Sequence, residues 1–375
     1  MTTKTTKISI LFVLATAMSL AIPTMASAES VDRACIEKIT VDDAEKTNMI
    51  DKEEIRQIVS NNSEFEEMVF KKQLTDRGIA FEGKMDMKNC ISNIKSAIQT
   101  YVFKEGDQTK TVSVKVNLDT KQVSDVRIET DREILATDLG TVAGNWVGYG
   151  GRDAVDLNHV NRALAYWNVP QAQDPSTLNC GTGDDTCIVT VWAGVTDTSD
   201  GSDVLSQGGS HSICEGNNCG TAEDYEAFIQ HWDDGSLQSS FTCSSVTMNH
   251  GDSMYSTAQH ITSGTDRYYV YVSNLDELDS CSLTRNDTEK PVWAQIHAER
   301  PVNGNTGNDF NLAKFTDFDI QGYFYDNGAF KGLDDMDTSP YDYHDFFIES
   351  TSSPYADVDS PDSNDKITIN YIKSS

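Results

Sequence analysis

The sequence is short of positive charge. It has 29 lysines and arginines against 59 aspartates and glutamates, and its formal net charge at pH 7 is −30. A surface this acidic repels phosphate groups, so nucleic acids and anionic membranes are excluded as expected partners. The acidity fits either a soluble exported protein or one that works at low pH, where carboxylates lose their charge.

Long apolar runs are missing after the N-terminal segment 1–28. That segment has basic residues at Lys4 and Lys7, the apolar run ISILFVLATAMSLAI and the small-residue exit ASA, which together are typical of a secretory signal. The run is shorter than the roughly 20 residues that span a bilayer. We therefore predict cleavage after Ala28 and a secreted or extracytoplasmic monomer that does not contact the membrane.

Common hydrolase signatures are also absent from the sequence. It contains neither the G-x-S-x-G elbow of serine hydrolases nor the H-E-x-x-H helix of zinc peptidases. A D-T-S triplet begins at Asp337, but the apolar strand and glycine expected around it in aspartic peptidases are missing. The stretch DTSDGSD, from Asp197 to Asp203, has oxygen ligands suited to Ca²⁺. We interpret it as an acidic loop without a metal.

Cysteines are present in an even number, which favours disulfides over metal ligands in an exported protein. Proximity along the chain suggests four pairs: Cys35 with Cys90, Cys180 with Cys187, Cys214 with Cys219, and Cys243 with Cys281. Eight cysteines allow 105 pairings, so the sequence leaves the connectivity open.

The chain changes character near residue 141. Between residues 35 and 104, apolar residues recur at three- and four-residue steps, in DKEEIRQIVSNNSEFEEMVFKKQL and again in NCISNIKSAIQTYVF, which predicts helices. KTVSVKVNLDTKQVSDVRIET then alternates as a β-hairpin does. Beyond residue 141, short strand-like runs alternate with Gly, Asn, Asp and Ser clusters. We predict a small α+β prodomain or accessory domain at 29–135 and an all-β sandwich at 141–375.

An ordered series of short motifs runs through the second part. GNWVGYG, AYWNVP, VWAGV, VLSQGG, YEAFIQHW, NHGDSMYSTA, YYVYVSNL, VWAQIHAERP and NLAKFTDFDI follow one another between residues 141 and 326. In this order they resemble the glutamic peptidases, the eqolisin family of acid endopeptidases. The resemblance covers about half of the chain and leaves out the N-terminal segment.

The resemblance implies a two-sheet antiparallel β-sandwich, of the concanavalin-like jelly-roll type, with a substrate groove on one concave face. In that family a glutamate serves as general base and acid in peptide hydrolysis, and a glutamine amide stabilises the oxyanion. Both roles are chemically sound, because a carboxylate carries a proton and an amide donates at low pH without titrating. A polypeptide substrate is implied, and no cofactor is needed.

Carried over residue by residue, VLSQGG assigns the catalytic glutamine to Gln207. Trp192 matches the W-x-G that precedes this strand, and Asp197 lies beside the position of the acid that usually follows. Trp146 and Tyr149 fall in the N-W-x-G-Y opening that the family uses near its groove.

The strand YEAFIQHW departs from the pattern. The family's catalytic glutamate lies in a strand of the form Y-x-A-W-Y-E-W, which places Phe228 on the tryptophan and Gln230 on the glutamate. Because an amide cannot accept and return a proton, the standard mechanism fails in this register.

Three interpretations of this strand follow: a degenerate sandwich that only binds an extended peptide or a polysaccharide, a base moved to Glu226, or a different register. Glu226 shares a strand face with Gln230 and is expected about 7 Å away. We predict that Gln207 and Gln230 face each other in an open groove lined by Trp146 and Trp192, with Glu226 as the only nearby carboxylate. A glycan-cleaving sandwich is disfavoured, because it needs two carboxylates roughly 5 to 9.5 Å apart.

Overall fold

The N-terminal part begins with helices, as the sequence predicts. In this computed structural model the described residues are 32–106, 108–129, 134–135, 146–153, 160–173, 180, 186–197, 204–215, 219, 225–303, 310–326, 329–335, 341–346 and 356–372. Helices α1 (Arg33–Met49), α2 (Lys52–Ser60) and α3 (Ser63–Met68) open the described chain. The proposed signal, residues 1–28, lies outside the described residues.

Each helix begins where a short polar side chain accepts a backbone N–H of the first turn. Asp32 accepts from Cys35, Asp51 from Glu53 and Glu54, and Asn62 from Phe65. These side chains satisfy amide groups that have no partner inside the helix, which fixes the helix start. Asn62 therefore divides the predicted long helical stretch into α2 and α3.

The prediction of a second helical stretch is wrong. NCISNIKSAIQTYVF lies in strand β2 (Ile91–Glu105), which pairs with β1 (Thr75–Asp86) on one side and with β3 (Gln108–Asn117) on the other. Strand β4 (Gln122–Glu129) completes the predicted hairpin with β3. Consecutive residues of β2, from Ser96 to Thr100, are buried, so both faces of the strand are covered. A strand buried on both faces loses the alternation that would have identified it.

Two antiparallel sheets form the predicted sandwich, and the all-β fold with its N-terminal α+β part is confirmed. The back sheet has twelve strands in the described residues, in the order β21, β22, β18, β7, β12, β13, β14, β1, β2, β3 and β4, with β19 beside β18. The strands not yet given are β7 (Val160–Asn168), β12 (Ser253–Ile261), β13 (Arg267–Asn274), β14 (Asp279–Asn286), β18 (Phe318–Asp326), β19 (Ala329–Gly332), β21 (Ala356–Val358) and β22 (Lys366–Tyr371).

The front sheet has eight strands in the same described ranges, in the order β11, β10, β9, β8, β15, β6 and β20, with β17 parallel to β8. They are β6 (Trp146–Asp153), β8 (Cys187–Thr196), β9 (Leu205–Cys214), β10 (Tyr225–Asp233), β11 (Ser236–Thr242), β15 (Trp293–Glu299), β17 (Asn311–Leu312) and β20 (Tyr341–Phe346). A separate pair joins β5 (Ile134–Leu135) to β16 (Val302–Asn303).

The sheets enclose one large apolar core. Inward residues of β8 and β15, such as Val191, Ala193 and Ile296, belong to the same cluster as Val270 and Val272 of β13. The other face of the front sheet then carries the alternate residues of each strand, which include most of the residues singled out in the sequence.

The N-terminal strands continue the back sheet. Strand β1 pairs with β14, with Ala80 opposite Leu283, and the Arg77 guanidinium donates to the backbone oxygen of Leu237 in β11. Asp32–Ser375 forms one compact unit. The division of the chain near residue 135 into two domains stays a prediction.

All four disulfides form as sequence proximity suggested: Cys35–Cys90, Cys180–Cys187, Cys214–Cys219 and Cys243–Cys281. The last of these links the segment after β11 of the front sheet to β14 of the back sheet. Within the described residues, no helix is both long and apolar enough to cross a membrane.

Candidate functional site

A row of amide side chains crosses the outward face of the front sheet. Strand register aligns Gln230 of β10 with Gln207 of β9, Gly194 of β8, Gln295 of β15 and Gly150 of β6. We call these five positions the amide row. It brings Gln207 and Gln230 directly opposite each other on neighbouring strands. It also includes Gln295, to which the family resemblance assigns no role.

Gln207 and Gln230 are hydrogen-bonded to each other, and all three glutamines of the amide row are buried. Gln207 donates through Nε2 to Oε1 of Gln230 at 3.2 Å, and Gln230 donates through Nε2 to Oγ of Ser240 at 3.4 Å. Gln207 and Gln295 are 0% exposed and Gln230 is 1% exposed. The predicted open groove is therefore closed to solvent at this row.

Gly194 separates Gln207 from Gln295. A Cβ atom at Gly194 would lie 2.9 Å from the Trp192 ring, 3.0 Å from the backbone oxygen of Ser206 and 3.1 Å from Cβ of Gln207. Only glycine fits without a shift of these neighbours. The two glutamines stand on strands about 10 Å apart, and the missing side chain lets the Trp192 ring and Gln207 lie against Gly194.

An aromatic row lies beside the amide row. It consists of Phe228, Gly209, Trp192, His297 and Gly148, again aligned across β10, β9, β8, β15 and β6. The ring centroids of Trp192 and His297 are 4.8 Å apart. The resemblance implies that Trp192 and Phe228 contact substrate, and the structure places both on this face, buried in a small apolar cluster.

Trp146 closes the aromatic row from one end. Its ring centroid lies 5.5 Å from that of Trp192 in an edge-on contact and 5.2 Å from that of His297. Burial lowers the pKa of His297 to about 3, because the imidazolium form would lose its hydration. The face therefore carries a neutral histidine over the pH range in which an acid-active protein works.

A third row carries the carboxylates of this face. Glu226, His211, Thr190, Glu299 and Trp146 are aligned on β10, β9, β8, β15 and β6. Thr190 Oγ1 and His211 Nδ1 lie 2.7 Å apart. Glu299 is fully buried.

Glu299 is held by a tryptophan of the neighbouring row. The indole Nε1 of Trp192 donates to Oε2 of Glu299 at 2.6 Å. The aromatic row and the carboxylate row are thus joined by a hydrogen bond.

Two expectations about Glu226 need correction. It is four residues from Gln230 along β10, and such a step of extended strand spans about 13 Å rather than 7 Å. It is also not alone, because Glu299 is a second carboxylate on the same face. Neither glutamate lies in the amide row, and both are two rows from Gln207.

Tyr149 and Asp197 lie away from the amide row. Tyr149 points inward and belongs to the core between the sheets. Asp197 follows β8, and its Oδ1 accepts the backbone N–H of Val204 at 2.9 Å, which ties the end of β8 to the start of β9. Of the acidic stretch 197–203, only Asp197 is among the described residues. Within those residues, no group of three or more His, Cys, Asp or Glu side chains could hold a metal ion.

Gln295, His297 and Glu299 received no role from the sequence. Their strand, WAQIHAE, does contain a signal: Ala294, Ile296 and Ala298 alternate with three polar residues, although every position is buried. Alternation in a strand that is buried on both faces places polar groups on one dry surface. Only the burial, which the sequence does not show, turns this alternation into evidence for a site.

Comparisons with solved structures identify similar chains. The scytalido-glutamic peptidase with a transition state analog inhibitor matches with 19% identity and a TM-score of 0.45, covering 62% of this chain and 100% of that chain. SCP-B, described as a member of the eqolisin family in a complex with the tripeptide Ala-Ile-His, matches with 20% identity and a TM-score of 0.41 over the same shares. The aspergilloglutamic peptidase from Aspergillus niger matches with 18% identity and a TM-score of 0.39, covering 50% of this chain and 99% of that chain.

No protein-family model and no curated protein matches this chain. Identities of 18 to 20% leave the roles of individual residues to the chain's own geometry. These solved chains are described as glutamic peptidases, the family that the ordered motifs of this chain resemble.

Proposed function

We propose that this chain is a glutamic peptidase-like protein that takes up a polypeptide, in extended form, on the outward face of its front sheet. The observation that carries the proposal is the amide row, in which Gln207, Gln230 and Gln295 share one line across the sheet. An exported location is part of the proposal, and the four disulfides favour an oxidising compartment.

Glutamine side chains suit this task chemically. Each carries an amide donor and an amide acceptor, the same pair of groups that a peptide bond presents. None of them titrates, so the row keeps its hydrogen-bonding capacity at any pH. The flanking indoles of Trp146 and Trp192 offer apolar surface for substrate side chains.

The row must open before it binds. Its glutamines are at most 1% exposed, and Gln207 is already paired with Gln230. A peptide has to replace that pairing with hydrogen bonds of its own. Uptake is therefore expected to be limited by the opening of this face rather than by diffusion.

Hydrolysis is the second candidate function, and the buried carboxylate of Glu299 favours it. A peptide bond held by the Gln207 amide would develop its oxyanion against that donor, while a carboxylate would take a proton from the attacking water and return it to the leaving amine. Glu226 and Glu299 are both about 13 Å along the strands from the level of Gln207. At that distance we expect slow hydrolysis at most.

Placing a carboxylate inside the amide row tests both candidates. Gln295→Glu puts it across the Gly194 gap from Gln207, and Gln230→Glu puts it next to Gln207. Gln259→Glu, on β12 of the back sheet, is the matched control. Binding of an unfolded protein substrate would be measured by fluorescence anisotropy, and its cleavage by mass spectrometry, between pH 3 and pH 7.

We expect the wild type to bind the substrate with slow or no cleavage. Gln295→Glu should raise cleavage by about 10²- to 10⁴-fold, the range that a positioned proton carrier supplies, and Gln259→Glu should leave it unchanged. Gln207→Leu should weaken binding. Rapid wild-type cleavage that disappears in Glu299→Gln would establish hydrolysis as the function. Binding of a polysaccharide with no binding of the polypeptide would overturn the proposal.

A further inference from the structure

A buried chain of hydrogen-bonding groups lies directly behind the amide row. Ser206 and His231 are opposite each other on β9 and β10, next in sequence to Gln207 and Gln230, and they point to the inward face. Ser206 Oγ lies 2.6 Å from Nδ1 of His231, and Nε2 of His231 lies 3.3 Å from Oδ2 of Asp287.

Asp287 connects this chain of groups to the back sheet. It follows β14, and its Oδ1 accepts the backbone N–H of Glu289 at 3.0 Å. The Ser206 residue and the His231 side chain are at most 1% exposed, and the Asp287 side chain is 7% exposed. The three side chains therefore join two strands of the front sheet to one segment of the back sheet.

These groups do not form a second nucleophilic site. Ser206 is 0% exposed and lies between the two sheets, where no substrate carbonyl reaches its hydroxyl. The orientation of the imidazole also matters, because the serine contacts Nδ1 and the carboxylate contacts Nε2. The arrangement holds the strands together and does not expose a reactive atom.

The proton positions follow from the partners. A proton on Nε2 of His231 faces the Asp287 carboxylate 3.3 Å away, and this tautomer leaves the lone pair of Nδ1 to accept the Ser206 hydroxyl. A second proton on the ring would sit on Nδ1 and donate to Ser206 Oγ. The serine hydroxyl would then lose its acceptor and have to turn towards another one inside a dry core, which costs free energy.

The surroundings are mostly acidic. Several elements contribute charged groups that act on His231, on Asp287 or on the Tyr268 ring beside them. Apart from Asp287, which acts on His231 and Tyr268, these groups are Asp197, Asp233, Arg285, Glu289 and His260. Burial lowers the pKa of His231 below its ordinary value, although Asp287 opposes that shift. Burial favours the neutral form of Asp287, but the hydrogen bonds from His231 and Glu289 outweigh it and hold its pKa below the usual range.

We propose that Ser206, His231 and Asp287 form an acid-sensitive latch that positions β9 and β10 and keeps the amide row closed until His231 is protonated. Neutral His231 fixes the two strands so that Gln207 stays paired with Gln230. The imidazolium form disrupts the Ser206 contact and loosens both strands at this level. A pH below the ordinary histidine pKa of about 6.5 then opens the face to a polypeptide, so this inference rests on the proposed function for its binding readout.

The association rate of a fluorescent unfolded polypeptide, measured by stopped flow from pH 7.5 to pH 4, tests the latch in the full chain. In the wild type the rate should rise at least about tenfold as pH falls, since the protonated fraction of a histidine rises about tenfold for each pH unit above its pKa. His231→Gln keeps a donor and an acceptor but cannot titrate, and it should reduce this pH dependence. His250→Gln is the control, because the imidazole of His250 lies against the backbone oxygen of Val169, a residue outside the latch.

A second variant tests the latch independently of His231. Asp287→Asn removes the charge that stabilises the imidazolium, so the rise in rate should move to lower pH by about one unit. A pH profile that is the same in His231→Gln and the wild type would overturn the latch. If Asp287→Asn moves the rise to higher pH, the assigned direction of the proton coupling is wrong.

Backbone hydrogen exchange separates this inference from the proposed function. The opening free energy of β9 and β10 should fall as pH drops from 6.5 to 4 in the wild type, and it should fall less in His231→Gln, where only other buried groups still titrate. Exchange that follows this pattern without any polypeptide binding would sink the proposed function and support the latch. Exchange with the same pH dependence in both proteins would sink the latch even if binding is found.

Discussion

The outward faces of the two sheets both carry buried polar groups, yet these groups differ in chemistry. Helix α1 covers part of the back face, where Arg162 donates to both carboxylate oxygens of Glu37 at 2.7 and 3.1 Å. Asp43 of the same helix accepts from Tyr269 at 3.1 Å and from Ser92 at 2.6 Å. The front face instead carries amides, indoles and a neutral histidine, with Glu299 as its buried acid.

The difference gives the two faces opposite responses to acid. On the back sheet side, burial raises the pKa of Asp43 and raises that of Asp365 to about 7, so these carboxyls take up protons readily in the folded state. A group with a raised pKa gains stability as pH falls through that value. On the front face the pKa of His297 is lowered to about 3, so acid costs stability there. Acid thus loosens the face that carries the amide row and strengthens the opposite one.

The largest expected loss of unfolding free energy comes from the protonation of His297 in acid. The neutral imidazole of His297 contributes fully to the free energy of unfolding above the ordinary histidine pKa of about 6.5. This contribution is lost as pH falls towards the pKa that His297 has in the folded protein. With a folded pKa of about 3, the loss is on the order of 4 kcal/mol at pH 3. Urea unfolding at pH 7 and pH 3 should show the wild type losing that much relative to His297→Gln. His250→Gln is the control, and an unchanged gap between wild type and His297→Gln would contradict the expectation.

Removing Arg162 from the back face should have the next largest effect on stability. Arg162→Met leaves Glu37 and Tyr255 without their guanidinium partner in a mostly buried setting. Breaking a buried pair typically costs 3 to 5 kcal/mol, and we expect about 3 because the Glu37 side chain is 26% exposed. Urea unfolding of Arg162→Met and of Arg162→Met/Glu37→Leu would measure it. Equal losses in the two proteins would show that the ion pair is not the source.

The smallest expected effect is that of Gly194→Ala, which tests whether this glycine serves only packing or also polypeptide uptake. Gly194→Ala should cost about 2 kcal/mol, because the added Cβ meets Trp192, Ser206 and Gln207 at 2.9 to 3.1 Å. It should also weaken polypeptide uptake by narrowing the gap between Gln207 and Gln295. Gly322→Ala, on the back sheet, makes a close contact with Ile296 in the core and serves as the control. If both variants lower uptake in proportion to stability, the gap has no specific role.

Local patterns in the sequence predicted much of the fold. The β3–β4 hairpin, the strand YEAFIQHW, the sandwich and the disulfide pairs all follow from alternation, turn residues or proximity. β2 did not follow, because Ile91, Ile94 and Ile98 have helical spacing while the strand is covered on both faces. Pairing between β1 and β2 decides the structure there, and the local period does not report it.

The site was predictable only in part, because register between distant strands determines it. Gln207 and Gln230 belong to strands that follow each other in sequence, so their pairing could be anticipated from a hairpin-like arrangement. Gln295 reaches the same row through β15, which lies far along the chain and pairs with β8. No local signal fixes which residue of WAQIHAE stands opposite Gly194, and a slip of two residues would place His297 there instead.

The pairing of β1 with β14 has a consequence for the order of assembly during synthesis. Residue 80 leaves the ribosome long before its partner at residue 283. The edge of β1 that pairs with β14 is therefore exposed while the chain between them is synthesised. Contacts so distant in sequence form slowly, and an open strand edge invites pairing with other chains. Export of the chain in an unfolded state would remove this waiting period, because all strands would then become available on the far side of the membrane within the same interval.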